Sequence, residues 1–488
     1  MIETVPIERH TSLEEYESLV FLAGAVRELR SEAAATVPKL AGRTVWMLNS
    51  TARGGGVAEM MPALVGSLRD LGVRCEWLVM GSERAGFFNL TRRLHDLLHG
   101  HGYPELATAE RELYDAASRD VGNELSQKLV PRDILVVHDP QPMGAGAAAA
   151  AASGATAVWR CHVGLDRHTP ATRAAWRFLE PYAGAYARGI FSSIAYVPRF
   201  FAGRASIAAP SIDPMDHKNR SLSPHKLAGV LSNGRLISCR APVLTPPFAE
   251  PARRLGADGV LRPADEPDVE LMFRPIVSQV SRWDRLKGFG PLLEAFARLK
   301  RTRARRARDE REARRFEIVR LLLVGPDPTS VADDPAAVGA FHEIAAQYAA
   351  LEPELQRDVG VLVLPMGSRK CNSLMVNAIQ RCSAVVVQNS ISEAFGLTAT
   401  EAMWKAVPVL VSNAHGLSLQ VRDGRDGRVL RDAENPDEIA DNLASMLSDP
   451  WAREAWGRAA QRHVVEDFLL FRQVGRLLRV LADCVSGA

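Results

Sequence analysis

Long apolar runs are missing from this chain. No segment offers the about 18 consecutive apolar residues that a membrane-spanning helix needs, and the longest candidate, 144–158, is mostly Ala and Gly. The first eleven residues are polar and contain Glu3, Glu8 and Arg9, so they predict no signal peptide. We therefore predict no transmembrane segment and expect a cytoplasmic protein.

Cysteine pairs and a strong excess of one charge are also absent. The six cysteines form no CxxC pair, and their spacing fits neither a zinc ligand set nor a disulfide framework. The net charge is +3, which argues against a nucleic-acid-binding protein. One stretch, 300–315, is strongly basic, and two interpretations stay open for it: a solvated segment between core elements, or a patch for a membrane surface or polyanion.

The remaining composition is that of a globular protein, with 47% hydrophobic and 24% charged residues. A length of 488 residues predicts roughly two to three domains. Short apolar runs alternate with amphipathic stretches, a pattern typical of βαβ units and parallel sheets. The runs predict strands at 44–48, 73–80, 134–137, 155–159 and 189–191, and again at 275–280, 318–324, 361–364, 385–387 and 409–411.

This alternation predicts the α/β class, with two Rossmann-like doubly wound domains facing across a cleft. We place the first domain at 1–214 and the second at 215–465, and we expect a C-terminal helix, 466–488, to pack back on the first. The stretch 210–267 is rich in Pro, Ser and Gly and predicts a linker with irregular insertions.

A glycine-rich segment follows the first predicted strand and precedes a helix. It runs from Asn49 to Glu59 and contains Gly54, Gly55 and Gly56. Glycines let the backbone approach a ligand, and the N–H groups of a helix N-terminus favour anions or hydroxyl-rich sugars. The segment lacks the Lys-Ser/Thr pair of a Walker A motif and the full GxGxxG pattern, so a plain turn is the alternative.

Two charged motifs occur in the second half. SRWDRLKG, at 281–288, holds Arg282 and Lys287 across a turn, where two cations could clamp a diphosphate; the alternative is two exposed surface cations. The segment 392–403 holds Glu393 before a predicted helix and Glu401 within it, with Gly396 at the turn. A helix-start carboxylate and a solvated helix position are the alternatives for these two residues.

Polar residues also follow two strands of the first half. His138, Asp139 and Gln141 come after the strand at 134–137, and Arg160 and His162 end the next one. Polar side chains just past the carboxyl ends of buried parallel strands lie where ligands bind in open α/β sheets.

The charged motifs together resemble the signature of the GT4 family of retaining glycosyltransferases, which have the GT-B fold. A more specific resemblance, to the trehalose synthases of the glycosyltransferring type, covers residues from about 40 to 475. It rests on NSTARGGGVAEM at 49–60, VHDPQP at 137–142, WRCH at 159–162, PSIDP at 210–214 and EAFGLTATEAMWK at 393–405. Retaining trehalose phosphorylases share much of this pattern.

The resemblance implies roles for residues on the donor side. Glu393 would contact the transferred glucose, and Glu401 the donor ribose. Arg282 and Lys287 would hold the diphosphate. Backbone amides at Gly396, Leu397 and Thr398 would contact the sugar and phosphate, and Gly55 and Gly56 would border the donor.

On the acceptor side, the resemblance implies that His162 lies beside the reacting carbon and counts, with Glu393, Arg282 and Lys287, among the catalytic residues. Asn49, Asp139, Gln141 and Arg160 would line the acceptor pocket. The leaving phosphate would take the acceptor proton, so no protein nucleophile would be required. No metal site or cofactor is expected, although stimulation by Mg²⁺ stays open.

The expected activity is transfer of glucose from a nucleoside-diphosphate glucose to free glucose, forming α,α-trehalose reversibly. A phosphorylase, a transferase with another small sugar or lipid acceptor, and an inactive nucleotide-sugar-binding protein are the alternatives. The expected partners are a nucleotide-sugar and a small sugar acceptor, without nucleic acid, and a homodimer is one arrangement left open. Two departures from the pattern occur. At Asn413 to Leu417, where many relatives have a Gly-Gly pair, His415 would lie near the donor phosphate. After His162 the Asp expected two residues on is missing, which leaves the acceptor open.

Overall fold

The computed structural model describes residues 1–52, 56–238, 247–266, 268–330 and 335–486. Its strands, numbered β1 to β15 in chain order, are Ile2–Thr4, Thr44–Asn49, Arg74–Met80, Ile134–His138, Thr156–Cys161, Tyr186–Phe191, Ala205–Ile207, Arg253–Leu255, Leu261–Pro263, Ile276–Val280, Arg320–Pro326, Val359–Leu364, Ser383–Gln388, Val409–Val411 and Gly427–Val429.

Helices connect most of these strands. Numbered α1 to α19, the α-helices are Leu13–Glu17, Val20–Thr36, Gly56–Asp70, Phe87–Leu98, Thr108–Ser126, Met143–Ser153, Pro170–Leu179, Pro224–Asn233, Phe289–Arg301, Arg303–Arg306, Glu310–Ile318, Pro335–Ala349, Pro353–Asp358, Arg369–Cys382, Leu397–Trp404, His415–Ser418, Pro436–Ser448, Pro450–Asp467 and Leu470–Ser486. Short 3₁₀ helices lie at Val37–Leu40, Glu180–Ala185, Ile194–Tyr196, Arg199–Phe201 and Arg285–Lys287.

The chain divides by its internal contacts into two units. Unit 1 comprises Met1–Asp213 and Asp467–Ala488, and unit 2 comprises Pro214–Glu466. Both are α/β units. Their strands carry continuous apolar runs, as strands buried on both faces of a parallel sheet do. Each sheet is parallel except at one edge.

Unit 1 contains a seven-stranded sheet in the order β1-β3-β2-β4-β5-β6-β7. The chain leaves β2 towards β3 on one side and later returns to β4 on the other, so the strand order reverses between β2 and β4. Ligands of doubly wound sheets bind at such a switch point, outside the carboxyl ends of the strands. The polar residues predicted from the sequence of the first half lie at or just after the carboxyl ends of β2, β4 and β5.

The C-terminal helix α19 belongs to unit 1. Its buried Phe471 contacts Tyr16 edge to face, with ring centroids 5.0 Å apart, and Arg479 pairs with Glu32 at 2.8 Å. The backbone of Ile212 accepts from Leu470 at 3.0 Å and donates to Phe468 at 2.9 Å. The helix α19 is therefore part of the packed core of unit 1.

Unit 2 contains an eight-stranded sheet in the order β15-β14-β13-β10-β11-β12-β8-β9. Its order reverses between β10 and β13, which again marks a switch point. Both faces of the sheet are covered, because alternate residues of β11 belong to two different buried clusters: Leu321 and Leu323 to one, Leu322 and Val324 to the other.

The stretch expected to be irregular contains regular elements among its described residues. The helix α8 lies within it, and β8 and β9 form an antiparallel hairpin that extends the sheet beside β12. The expectation of a linker with irregular insertions is wrong for these elements, because strands of three residues with arginines at 253, 254 and 262 carry no apolar run that would predict them.

The basic stretch 300–315 is tied to carboxylates of its own unit. Lys300 is buried and pairs with Asp358 at 2.6 Å, Arg301 pairs with Glu352 at 2.8 Å, and Arg308 with Glu312 at 3.0 Å. The structure therefore favours the first interpretation, a segment of helices α9 to α11 packed beside core elements.

Candidate active site

Three loops of unit 2 meet where β10, β13 and β14 end. Gln388 donates to the hydroxyl of Ser281 at 2.8 Å, which joins the ends of β13 and β10. The amide of Ile391 donates to the carbonyl of Leu286 at 2.7 Å, and the amide of Gly416 donates to the carbonyl of Glu393 at 3.2 Å. The sequence motifs at 281–288 and 392–403 are thus brought together at the switch point of this sheet.

Lys287 and Glu393 make direct contact there. The ammonium lies 2.5 Å from Oε2 of Glu393, and each side chain is 15% exposed. The hydroxyl of Ser390 donates to the same carboxylate oxygen at 3.1 Å. Two residues 106 positions apart therefore form a largely desolvated ion pair, in which charge interactions are stronger than at the surface.

The turn that carries Lys287 is set by local capping and one glycine. Asp284 accepts from the amide of Leu286 at 2.8 Å. Gly288 has φ of +64°, and a Cβ there would lie 2.1 Å from the carbonyl oxygen of Asn389. Only glycine fits this position without displacing the neighbouring loop.

Arg282 lies in the same turn and is exposed. Among the described residues its guanidinium has no hydrogen bond or ion pair, whereas Arg285 pairs with Glu343. Arg282 therefore lies in the same turn as Lys287, and its five donors remain available to a ligand.

The helix α15 begins at Leu397, shortly after Glu393, at the motif predicted to present backbone amides. Gly396 has φ of +84°, and its Cβ position lies 2.6 Å from Cδ2 of Leu417 and 3.0 Å from Cγ of Glu393. No side chain caps the helix at this residue, so the amides of Leu397 and Thr398, at the start of the helix, have no side-chain cap. Such amides favour an anion or a sugar hydroxyl.

Glu401 is buried, at 8% exposure, one turn into α15. Its carbonyl accepts from the ammonium of Lys405 at 2.8 Å. Burial lowers the pKa of Lys405 to about 7, and the nearby Glu401 carboxylate opposes that shift. The solvated position considered for Glu401 is therefore wrong.

Gln420 is a residue that the sequence interpretation missed. Its amide nitrogen donates to the carbonyls of Phe395 and Gly416, at 2.9 Å for Gly416, and its oxygen accepts from Thr400. It therefore fixes the loop between Glu393 and α15. A single glutamine in a mostly apolar segment offered no spacing that could have identified it.

In unit 1, four polar residues gather at the ends of β4 and β5. Nδ1 of His138 lies 3.0 Å from Nε2 of His162, with the two rings nearly parallel. Asp139, at φ of +66°, accepts from the amide of His162 at 2.8 Å and donates its own amide to the carbonyl of Arg160 at 2.9 Å. Three of the predicted residues, Asp139, Arg160 and His162, are thus brought together.

The electrostatics of this group are dominated by burial. Burial, with Arg160 second, lowers the pKa of His138 to about 3 and holds the pKa of His162 well below its usual value. Burial also raises the pKa of Asp139 and lowers that of Arg160 to about 10. Both imidazoles are therefore neutral near pH 7, when each can donate from one nitrogen and accept at the other.

Several buried polar atoms here have no hydrogen-bond partner among the described residues. They include both terminal nitrogens of Arg160, which is 4% exposed, Nε2 of His138 and Oε1 of Gln141. Buried polar groups are nearly always paired in proteins, so this cluster is suited to a polar ligand.

The remaining predicted residues belong to the glycine-rich segment. Asn49 is buried, donates to the carbonyl of Thr51 at 2.8 Å and accepts from Nε1 of Trp77 at 2.8 Å, so its amide orients the start of that segment. Gly56 is the first residue of α3. Gly55 lies outside the described residues.

Across the described ranges, no group of three His, Cys, Asp or Glu side chains is placed to hold a metal ion. No helix found in those ranges combines the length and the apolar character needed to cross a membrane.

Comparison with known proteins gives a family match within each unit. The family model for the N-terminal domain of trehalose synthase matches residues 47–198, and the model for group 1 glycosyl transferases matches 269–463. The trehalose synthase of Pyrococcus horikoshii is 31% identical over 470 residues, 96% of this chain and 95% of that protein. That of Rubrobacter xylanophilus is 30% identical over 480 residues, 98% of each chain.

Solved structures confirm the predicted GT-B fold class. An α,α-trehalose-phosphate synthase (UDP-forming) from Burkholderia xenovorans, in complex with glucose-6-phosphate, aligns with a TM-score of 0.62 at 16% identity, over 91% of this chain and 100% of that chain. The corresponding E. coli protein bound with UDP-2-fluoro glucose aligns with a TM-score of 0.63 at 12% identity, over 91% and 99%.

Proposed function

Because the chain belongs to the trehalose synthase family of glycosyltransferases, we propose that it transfers glucose from a nucleoside-diphosphate glucose to free glucose, with retention, and forms α,α-trehalose. The observation that carries this proposal is the contact of Lys287 with Glu393 at the switch point of unit 2. The enzyme class, a hexosyltransferase, follows from the family.

On the donor side, Arg282 and Lys287 bind the diphosphate. The exposed guanidinium of Arg282 supplies a fork of donors, and Lys287 supplies a point charge that it shares with Glu393. Glu393 contacts the transferred glucose, Glu401 the ribose, and the first amides of α15 the sugar and phosphate. Cations at this place stabilise the charge that develops on the leaving diphosphate.

On the acceptor side, Asp139, Arg160 and His162 hold the free glucose, with Gln141 and Asn49 beside them. The unpartnered atoms of Arg160 and Gln141 support this role, since glucose hydroxyls both donate and accept. His162 is neutral because burial lowers its pKa, and it is the residue that we propose beside the reacting carbon.

The reaction needs no protein nucleophile. The bond between the glucose C1 and the diphosphate oxygen breaks, the acceptor oxygen bonds C1 from the same face, and the acceptor proton passes to the leaving diphosphate. The protein contributes orientation and electrostatic stabilisation, and no cofactor or metal is part of the proposal.

The test is a donor screen with free glucose as acceptor and UDP-, ADP-, GDP- and TDP-glucose as donors, with products separated by chromatography. We expect α,α-trehalose and a nucleoside diphosphate in equal amounts from at least one donor. Absence of trehalose with all four donors would refute the proposal.

A second candidate is a retaining trehalose phosphorylase. The trehalose phosphorylase of Pleurotus pulmonarius is 24% identical over 442 residues, but this chain spans only 54% of that protein. Incubation of trehalose with inorganic phosphate would yield glucose 1-phosphate under this candidate alone. Incubation with a nucleoside diphosphate would yield the nucleotide-sugar under the first proposal.

A further inference from the structure

Lys405 is a buried cation directly behind the proposed donor site. It follows the last residue of α15 and is 8% exposed. Its ammonium donates to the carbonyl of Glu401 at 2.8 Å and to Oδ1 of Asn219 at 3.4 Å. The lysine therefore joins the helix that carries Glu401 to the segment around Asn219.

That segment, the turn 216–220, is itself held by two helices. Asn377 of α14 donates to two of its carbonyls, each at 2.9 Å. The indole of Trp404 donates to the carbonyl of Asn219 at 3.0 Å. The turn is a fixed support, so Lys405 links Glu401 to a part of unit 2 that has little freedom to move.

The charges that face Lys405 come from every element packed against it. They are Glu401 on its own helix, Arg381 on α14, and Lys218 and Asp216 on the turn. Burial has the largest effect and lowers the pKa of Lys405 to about 7, whereas the carboxylates of Glu401 and Asp216 act in the opposite direction. Near neutral pH the group therefore changes between an ammonium and an amine, and only the ammonium supplies charge to the Glu401 carboxylate.

We propose that Lys405 is a positioning residue, whose buried side chain braces Glu401 against the turn 216–220 and so orders the carboxylate for the donor ribose. The inference rests on the proposed role of Glu401 in donor binding. Loss of the brace weakens donor affinity more than turnover, because the reacting groups at Lys287 and Glu393 stay in place.

The test compares Lys405→Met with Lys405→Arg and wild type, by donor KM, by kcat, and by calorimetry of nucleoside diphosphate binding. We expect Lys405→Met to raise the donor KM and the nucleoside diphosphate Kd about tenfold with little change in kcat. The reason is that the hydrogen bonds from the charged Lys405 ammonium are lost. We expect Lys405→Arg to recover part of the loss.

Lys300→Met is the matched control. Lys300 is also a buried lysine of unit 2, 3% exposed and paired with Asp358, and burial lowers its pKa to about 8. It lies on α9, and its ammonium contacts Asp358 and the carbonyl of Glu317 instead of Glu401 or the turn. We expect its loss to lower stability without raising the donor KM, which separates positioning from general destabilisation.

The pH dependence gives a second readout. We expect the wild-type donor KM to rise as the pH increases through about 7, because the ammonium beside Glu401 loses its charge, and we expect this rise to be absent in Lys405→Met. If Lys405→Met fails to fold, Asn219→Ala replaces it, with a smaller increase in the nucleoside diphosphate Kd expected.

The outcomes separate this inference from the proposed function. If the wild type makes trehalose and Lys405→Met has an unchanged donor KM and pH profile, the inference is wrong and the proposed function stands. If the wild type binds a nucleoside diphosphate but makes no trehalose, the proposed function is wrong, and an unchanged Kd in Lys405→Met would overturn the inference as well. If the wild type binds no nucleoside diphosphate, both are wrong.

Discussion

Glu393 and Lys287 are less exposed than most ion pairs in the part of the chain that the structure describes. The Arg285–Glu343 pair, two residues earlier in the same turn, has side chains 76% and 44% exposed. Exposed pairs contribute little because water screens them, whereas a desolvated pair acts at a lower effective dielectric. One turn therefore holds a desolvated pair and an exposed pair, and the effects of breaking each can be compared.

Glu393→Gln keeps the size of the side chain and removes its charge. We expect the transfer rate to fall by at least about 100-fold, the loss typical of removing one preorganised electrostatic group. We also expect a lower melting temperature, because the ammonium of Lys287 loses its charged partner in a largely desolvated place. Glu343→Gln, which breaks the exposed pair, should leave the rate unchanged. Transfer at the wild-type rate in Glu393→Gln would remove that residue from the site.

His138 makes unit 1 sensitive to acid. Its pKa is lowered from 6.5 to about 3 by burial, so between these values the unfolded chain binds a proton that the folded chain does not. The free energy of unfolding therefore falls as the pH falls through this range, by up to about 1.4 kcal/mol per pH unit for one such group.

His138→Gln should make this acid dependence shallower, as measured by urea unfolding at a series of pH values. His101→Gln, at an exposed histidine, is the control and should leave the slope as in wild type. An identical slope in His138→Gln and wild type would show that the buried imidazole is not the group responsible.

At the scale of elements, the periodicity of apolar residues predicted most of the parallel strands, because strands buried on both faces carry continuous apolar runs. It failed for the hairpin β8–β9, whose pairing with β12 is a long-range contact and leaves no local pattern. The turn at Gly288 lies between these cases. Its glycine is visible in the sequence, but the reason for it, the carbonyl of Asn389, is 101 residues away.

Gly288→Ala tests that turn. Positive φ and the approach of 2.1 Å to the Asn389 carbonyl oppose a Cβ, and we expect a loss of about 2 kcal/mol or more in the free energy of unfolding. Gly339→Ala, in α12 with no atom within 4 Å of its Cβ position, should instead stabilise by about 0.5–1 kcal/mol. Urea denaturation measures both, and equal stability of the two variants would contradict the steric argument.

At the scale of the whole molecule, unit 1 is built from both ends of the chain. The helix α19 buries Leu470, Phe471, Val474 and Leu478 against the remainder of that unit. Burial of such side chains contributes roughly 1.5–3 kcal/mol each, so the helix accounts for a large part of the stability of a unit with a marginal total.

Truncation after Asp467 should therefore loosen unit 1 and leave unit 2 folded. Hydrogen exchange should show amides of β2, β4 and β5 losing protection while those of β10, β11 and β13 keep it. Removal of the last two residues alone is the control and should change neither set. Equal loss of protection in both units would show that α19 does not act on unit 1 alone.

The order of apolar and polar residues determined the α/β class, most of the parallel strands and the two charged motifs, since these depend on contacts between near neighbours in the chain. The tertiary structure alone decided that Lys287 reaches Glu393, that Asp139 binds the amide of His162, and that Lys405 and Gln420 support the same helix and loop. Those contacts depend on which strand ends become neighbours in a sheet. Strand order follows from packing across the whole unit, so no local pattern of residues encodes it.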